Sequence, residues 1–247
     1  MMFFFENKRN LLLRGALIVF CLCVPVLCFP GTYYELTLNT GMKGILFKPR
    51  GFSKWKSYPL IIALHGKGQT AALTMKKWET IAEKQHVLLF CPQGSDPQEG
   101  YLRGALDDRV QIKELVTYLY ESYRIRRKET LLIGFSRGGN LAIELGTLYP
   151  DEFPTIVSLF GFFNRGVPHY ISKQPNYAFK KSRFLFVTGE LDPSFQSSQK
   201  GYSLLKNKNI RSEVYAYKQK KHSYPKNLNY FYRQLREWMH SNKHFSL

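Results

Sequence analysis

Residues Thr130–Leu141 read Thr-Leu-Leu-Ile-Gly-Phe-Ser-Arg-Gly-Gly-Asn-Leu. An apolar run of strand length enters Gly134-Phe135-Ser136-Arg137-Gly138, which has the form G-x-S-x-G. A helical pattern from Asn140 to Leu148 leaves it and stops at Pro150. Glycines let a chain turn sharply at a strained serine, lifting the hydroxyl above a sheet edge. The helix that starts there aims N–H groups and its positive dipole end at developing negative charge. The competing reading is a tight turn whose serine only caps a helix.

Outward from this turn, strand-length apolar runs alternate with helical patterns. Leu60-Ile61-Ile62-Ala63-Leu64 and Val87 to Cys91 are continuous runs, as in strands covered on both faces. Tyr33 to Leu38 and Gly44 to Phe47 read as two early strands, and Thr155 to Phe160, Arg183 to Thr188 and Arg211 to Tyr217 as three late ones. Helical spacing marks 72–84, 108–123, 194–206 and 227–240, with Asp107-Asp108 placed to cap the second. Such alternation predicts a doubly wound, mostly parallel sheet flanked by helices. Only the stretch from Gly161 to Lys181 has room for a lid, so a lid is short or absent.

A serine hydroxyl needs a base to take its proton. Enzymes built on this turn place an acid and then a histidine downstream. Asp192, in Gly189-Glu190-Leu191-Asp192-Pro193, follows a strand end and is preferred over Glu190 as the acid. Of six histidines, His222 alone follows the final strand and precedes the last helix. In this scheme His222 takes the proton from Ser136 and Asp192 orients the imidazolium. Oxyanion donors are assigned to the backbone N–H groups of Lys67, in the loop closing the 60–64 strand, and of Arg137. His65 is read as organising that loop. Tyr101, Phe162 and Phe163 are candidate substrate-pocket residues, with simple packing as the alternative. No metal or cofactor is expected.

The 247 residues carry 36 Lys and Arg against 18 Asp and Glu, a formal charge of +18. The basic residues are scattered in short pairs, with no recognition helix, zinc-finger spacing or RNA-binding aromatic signature, so no nucleic-acid partner is expected. A weak electrostatic association with anionic surfaces is the partner reading that this charge allows. Lys8, Arg9 and Arg14 precede the apolar run Ala16 to Phe29, so residues 1–31 read as a signal peptide, with an N-terminal anchor as the alternative. The expected location is therefore exported, and residues 32–247 read as one domain. Cys21, Cys23 and Cys28 lie in the leader, which leaves Cys91 as a buried residue without a disulfide partner.

Leu64-His65-Gly66, Cys91-Pro92-Gln93-Gly94, Asp107-Asp108, Gly134 to Gly139, Tyr149 to Phe153 and Gly189 to Asp192 occur in this order ahead of His222. The combination resembles the polyhydroxybutyrate depolymerase and feruloyl or acetyl-xylan esterase branch of the α/β-hydrolases. That resemblance implies a serine esterase working through an acyl-enzyme, with Ser136, Asp192 and His222 as its triad. Small-molecule or polymer-linked esters are the implied substrates. Arg137 departs from the branch, which commonly has a small residue or methionine there, and Lys221 replaces a usual glycine. A lysophospholipase or thioesterase on the same fold is one alternative. A catalytically silent protein that binds a ligand or an anionic surface is another.

Overall fold

The computed structural model describes residues 31–103, 107–241 and 244–247. The reading of residues 1–31 as a leader lies, apart from Gly31, outside the described residues. Eight strands form one sheet: β1 (Thr32–Thr37), β2 (Lys43–Lys48), β3 (Tyr58–Leu64), β4 (Leu88–Pro92), β5 (Ile125–Phe135), β6 (Thr155–Leu159), β7 (Arg183–Gly189) and β8 (Arg211–Tyr217). Their spatial order is β1-β2-β4-β3-β5-β6-β7-β8. β1 and β2, and β2 and β4, pair antiparallel, and every later pairing is parallel.

Alternating side chains explain why the central strands are apolar without a break. Leu60, Ile62 and Leu64 enter one core and Ile61 and Ala63 the other, and Leu88 and Phe90 are likewise split from Leu89 and Cys91. With successive side chains on opposite faces, a strand covered on both sides has no polar position to spare. Helices α1 (Ala71–Lys84) and α6 (Leu228–His240) pack their apolar stripes into the second core. Helices α2 (Asp108–Ser122), α3 (Arg137–Leu148) and α5 (Phe195–Asn207) cover the first. Cys91 is fully buried in β4, and burial pushes its thiol well above its ordinary pKa.

Two elements differ from the sequence expectation. β5 begins at Ile125, ahead of the apolar run, because Arg126-Arg127-Lys128-Glu129 extends it with polar and mostly exposed residues. α3 begins directly after Ser136, taking Gly138 and Gly139 into its first turn. The stretch 161–181 folds as a short helix α4 (Val167–Ser172) and a single 3-10 turn (Asn176–Phe179), too small for a cap domain.

The chain leaves β3 for β4 on one side and returns to β5 on the other. β3 and β5 therefore flank the point where strand order reverses, with Leu64 in register with Gly134. Ligands of such sheets bind outside the carboxyl ends of the strands at that point.

Candidate active site

Ser136 sits at the carboxyl end of β5 with φ 53° and ψ −114°, a conformation that a residue with a side chain rarely adopts. Its amide donates to the Leu159 carbonyl at 2.8 Å, anchoring the turn to β6. The flanking glycines are required by close approach. A Cβ on Gly134 would lie 2.0 Å from the Gly138 carbonyl oxygen, and one on Gly138 would lie 2.5 Å from the carbonyl oxygens of Leu64 and His65. The G-x-S-x-G pattern thus packs the first turn of α3 directly onto the ends of β3 and β5.

Asp192 and His222 meet. His222 Nδ1 lies 2.7 Å from Asp192 Oδ2, and the Asp192 side chain has no solvent exposure. The other carboxylate oxygen accepts the Ser194 amide at 2.8 Å, which fixes the acid in its loop after β7. A carboxylate at Nδ1 holds the proton there and leaves Nε2 as the acceptor. Glu190, the rival acid, is exposed and accepts the Gln219 amide at 3.3 Å.

The imidazole stands beside the nucleophile turn. Its ring centre is 5.0 Å from that of Phe135, the residue before Ser136, and 5.8 Å from that of Phe160. No hydrogen bond joins Ser136 to His222 among the described residues; catalytic hydrogen bonds are often long before a substrate is bound. The backbone N–H groups of Lys67 and Arg137 donate to no other group among the described residues, so both are available to an incoming oxygen. The side chains of these two residues point elsewhere. Lys67 pairs with Glu99 at 2.5 Å, and the Arg137 guanidinium donates to the Tyr101 carbonyl at 3.4 Å.

The candidate pocket residues separate. Phe162 is exposed, with its backbone amide held by Asn140 Oδ1 at 2.5 Å. Phe163 turns inward, packing on Phe186 and sitting where a Cβ on Gly201 would collide with it. Tyr101 is buried, with its hydroxyl accepting the His65 amide at 3.0 Å and donating to the Pro92 carbonyl at 3.3 Å. With its polar atom engaged on both sides, Tyr101 braces the loop.

His65 does organise that loop. It is fully buried and stacked on Tyr101; Nδ1 bonds the Gly66 carbonyl at 2.9 Å, and Nε2 accepts the Gly94 amide at 3.0 Å. Burial holds its pKa below the ordinary 6.5.

Two buried carboxylates escaped sequence reasoning. Asp108, expected only to cap a helix, accepts the amides of Ser95 at 3.0 Å and Leu102 at 2.9 Å, tying down the loop beside His65. Glu144, on α3, bonds Arg103, Arg109 and Asn164. It thereby joins the 101–103 loop, α2 and the start of the 161–181 stretch on one face of the helix that carries the nucleophile turn. Glu144 leaves no local signal, because its partners lie 20 to 41 residues away in sequence. Among the described residues, no group of three or more His, Cys, Asp or Glu is placed to hold a metal ion.

The Esterase family model matches residues 36–239. No curated protein matches the sequence. An S-formylglutathione hydrolase from Staphylococcus aureus superposes with a TM-score of 0.63 at 16% identity, covering 92% of this chain and 99% of that one. A ferulic acid esterase gives 0.61 at 16% identity, covering 92% and 97%. An acetyl xylan esterase from Paenibacillus sp. R4 gives 0.63 at 12% identity, covering 92% and 88%. At these identities the likeness is one of fold.

Proposed function

This chain belongs to the Esterase family of α/β-hydrolases, and from that premise we propose that it cleaves carboxylic esters through a Ser136–His222–Asp192 triad. The observation that carries the assignment of roles is the 2.7 Å contact between Asp192 and His222, with the imidazole packed beside the strained Ser136 turn. Ser136 Oγ attacks the ester carbonyl carbon while His222 Nε2 takes its proton. The carbonyl oxygen becomes an oxyanion that accepts from the free N–H groups of Lys67 and Arg137. Imidazolium then gives its proton to the departing alcohol, leaving an acyl-serine. Water, deprotonated by the same imidazole, releases the acid and restores the hydroxyl.

Substrate enters from an open side. The His222 side chain is 37% exposed, Phe162 is exposed, and the 161–181 stretch is too short to close over the serine. This geometry suits esters whose alcohol or acyl part extends into solvent, whether small or attached to a polymer. Thioesters undergo the same attack, and one structural neighbour is an S-formylglutathione hydrolase. A series of chromogenic esters and thioesters of graded acyl length tests the reading, with Ser136→Ala as control. Turnover that survives in Ser136→Ala overturns it. The apolar run behind Lys8, Arg9 and Arg14 belongs to the same proposal, as the signal that takes the enzyme out of the cytoplasm.

A further inference from the structure

We propose that the face opposite the candidate active site docks on an anionic phospholipid bilayer, with Trp55 at the lipid interface. The face is formed by the loops that precede the parallel strands. The 53–57 loop leads into β3 and the 124–128 segment opens β5, whereas Ser136 lies at the far ends of the same strands.

These two segments carry Lys54, Lys56, Arg124, Arg126, Arg127 and Lys128, all exposed. Arg126 pairs with Glu129 at 2.6 Å and Arg127 approaches Glu152 at 4.0 Å. Lys54, Lys56, Arg124 and Lys128 have no carboxylate partner among the described residues. Their charge is available to an anionic surface.

Trp55 stands among them, 70% exposed, while the other two tryptophans, Trp78 and Trp238, are buried. Two cations lie near its indole, with Lys54 Nζ at 5.1 Å and the Arg124 guanidinium at 5.9 Å from the ring centre. Arg124 also donates to the Trp55 carbonyl at 3.3 Å, so the loop presenting the indole is tethered to the segment presenting the charge. An indole ringed by cations is the side-chain set that partitions to the boundary between lipid headgroups and acyl chains. Single exposed apolar residues are ordinary, and what singles this one out is its setting.

The third observation is where the chain enters. Thr32 opens β1 opposite Lys48, and Phe47 pairs with Leu89 near the start of β4. Thr32 therefore lies at the same end of the sheet as the 53–57 loop. The apolar run Ala16–Phe29 is joined to the domain at this face, ending three residues before Thr32. Three residues reach at most about 11 Å. If the run is retained as an N-terminal anchor, the alternative to a cleaved signal, it would bring these cations onto the headgroups. The candidate active site would then face away from the lipid.

The test uses the full chain and vesicles of phosphatidylcholine, alone or mixed with phosphatidylglycerol. Tryptophan emission should shift to shorter wavelength on the mixed vesicles, and Trp55→Phe should abolish the shift, because Trp78 and Trp238 are already buried. The triple variant K54Q/K56Q/R124Q should bind mixed vesicles about a hundredfold more weakly, since each cation near such a surface contributes roughly a factor of five. K76Q/K77Q, on α1, should bind as wild type. Retained ester hydrolysis in the variants establishes that they are folded. An unshifted wild-type spectrum, equal affinity of the triple variant, or a shift induced by an anionic polysaccharide and not by vesicles would overturn the proposal.

Discussion

Asp192 Oδ2 lies 2.7 Å from His222 Nδ1, whereas Glu190, two residues earlier, spends its carboxylate on the Gln219 amide. One loop thus offers two acids, and its turn delivers only the second to the histidine. Asp192→Asn should lower kcat roughly 10³- to 10⁴-fold, because the amide no longer holds the imidazole in its working tautomer. Glu190→Gln should stay close to wild type. Steady-state kinetics on one chromogenic ester decides between them, and the opposite ranking would reassign the acid.

The nucleophile turn should tolerate no side chain at its glycines. Gly138→Ala places a methyl group 2.5 Å from two backbone oxygens, and neither can retreat without moving the end of β3. Overpacking of this kind costs about 1–3 kcal/mol where neighbours can relax, and backbone relaxes least. Urea unfolding should show a loss at or above that range, and activity should fall further because Ser136 is displaced. A variant as stable and active as wild type would contradict the close packing described.

His65 ties stability to pH. Burial lowers its pKa below 6.5, so the unfolded chain binds the proton more readily than the folded one. Its contribution is therefore complete above about pH 6.5 and is lost as the pH falls toward the folded-state value. Denaturant midpoints measured at about pH 7.5 and about pH 5 should drop for the wild type and drop less for His65→Gln. Equal drops would place the acid sensitivity elsewhere.

Glu144 is the anchor of the loops around the site. Its side chain is 1% exposed and bonds Arg103, Arg109 and Asn164. Glu144→Ala leaves Arg109 with Asp107 and Tyr170 but strips Arg103 of its paired carboxylate. Breaking a buried charge cluster from one side costs about 3–5 kcal/mol, reduced here because Arg103 is partly exposed and can reach water. If these loops frame the substrate, KM should rise more than kcat falls, because among the described residues Glu144 itself makes no hydrogen bond with Ser136, Asp192 or His222. A selective loss of kcat would give Glu144 a different role.

The sheet was legible because burial on both faces demands apolar strands, and Leu60–Leu64 and Leu131–Ile133 meet that demand openly. The ends of β5 and α3 were less legible. Arg126 to Glu129 continue a strand with side chains typical of a loop, and Gly138-Gly139 open a helix with poor formers because Gly138 lies against the end of β3 and Gly139 against Ser158 of β6 and Gly161. The candidate nucleophile, acid and base were readable from motif and chain order. The supports were not: Glu144 reaches partners 20 to 41 residues away in sequence, and no periodicity records such a pairing. Tyr101 likewise gave no sequence sign that its hydroxyl bonds the His65 amide and the Pro92 carbonyl.

Ser136 is the proposed nucleophile of this carboxylic-ester hydrolase. A fluorophosphonate probe, incubated with the native enzyme and mapped by peptide mass spectrometry, tests it most directly. One adduct is expected, on the peptide containing Ser136, absent from Ser136→Ala and from heat-unfolded protein and much slower to form in His222→Ala. An unlabelled Ser136, or an adduct on another residue that persists in Ser136→Ala, would contradict it.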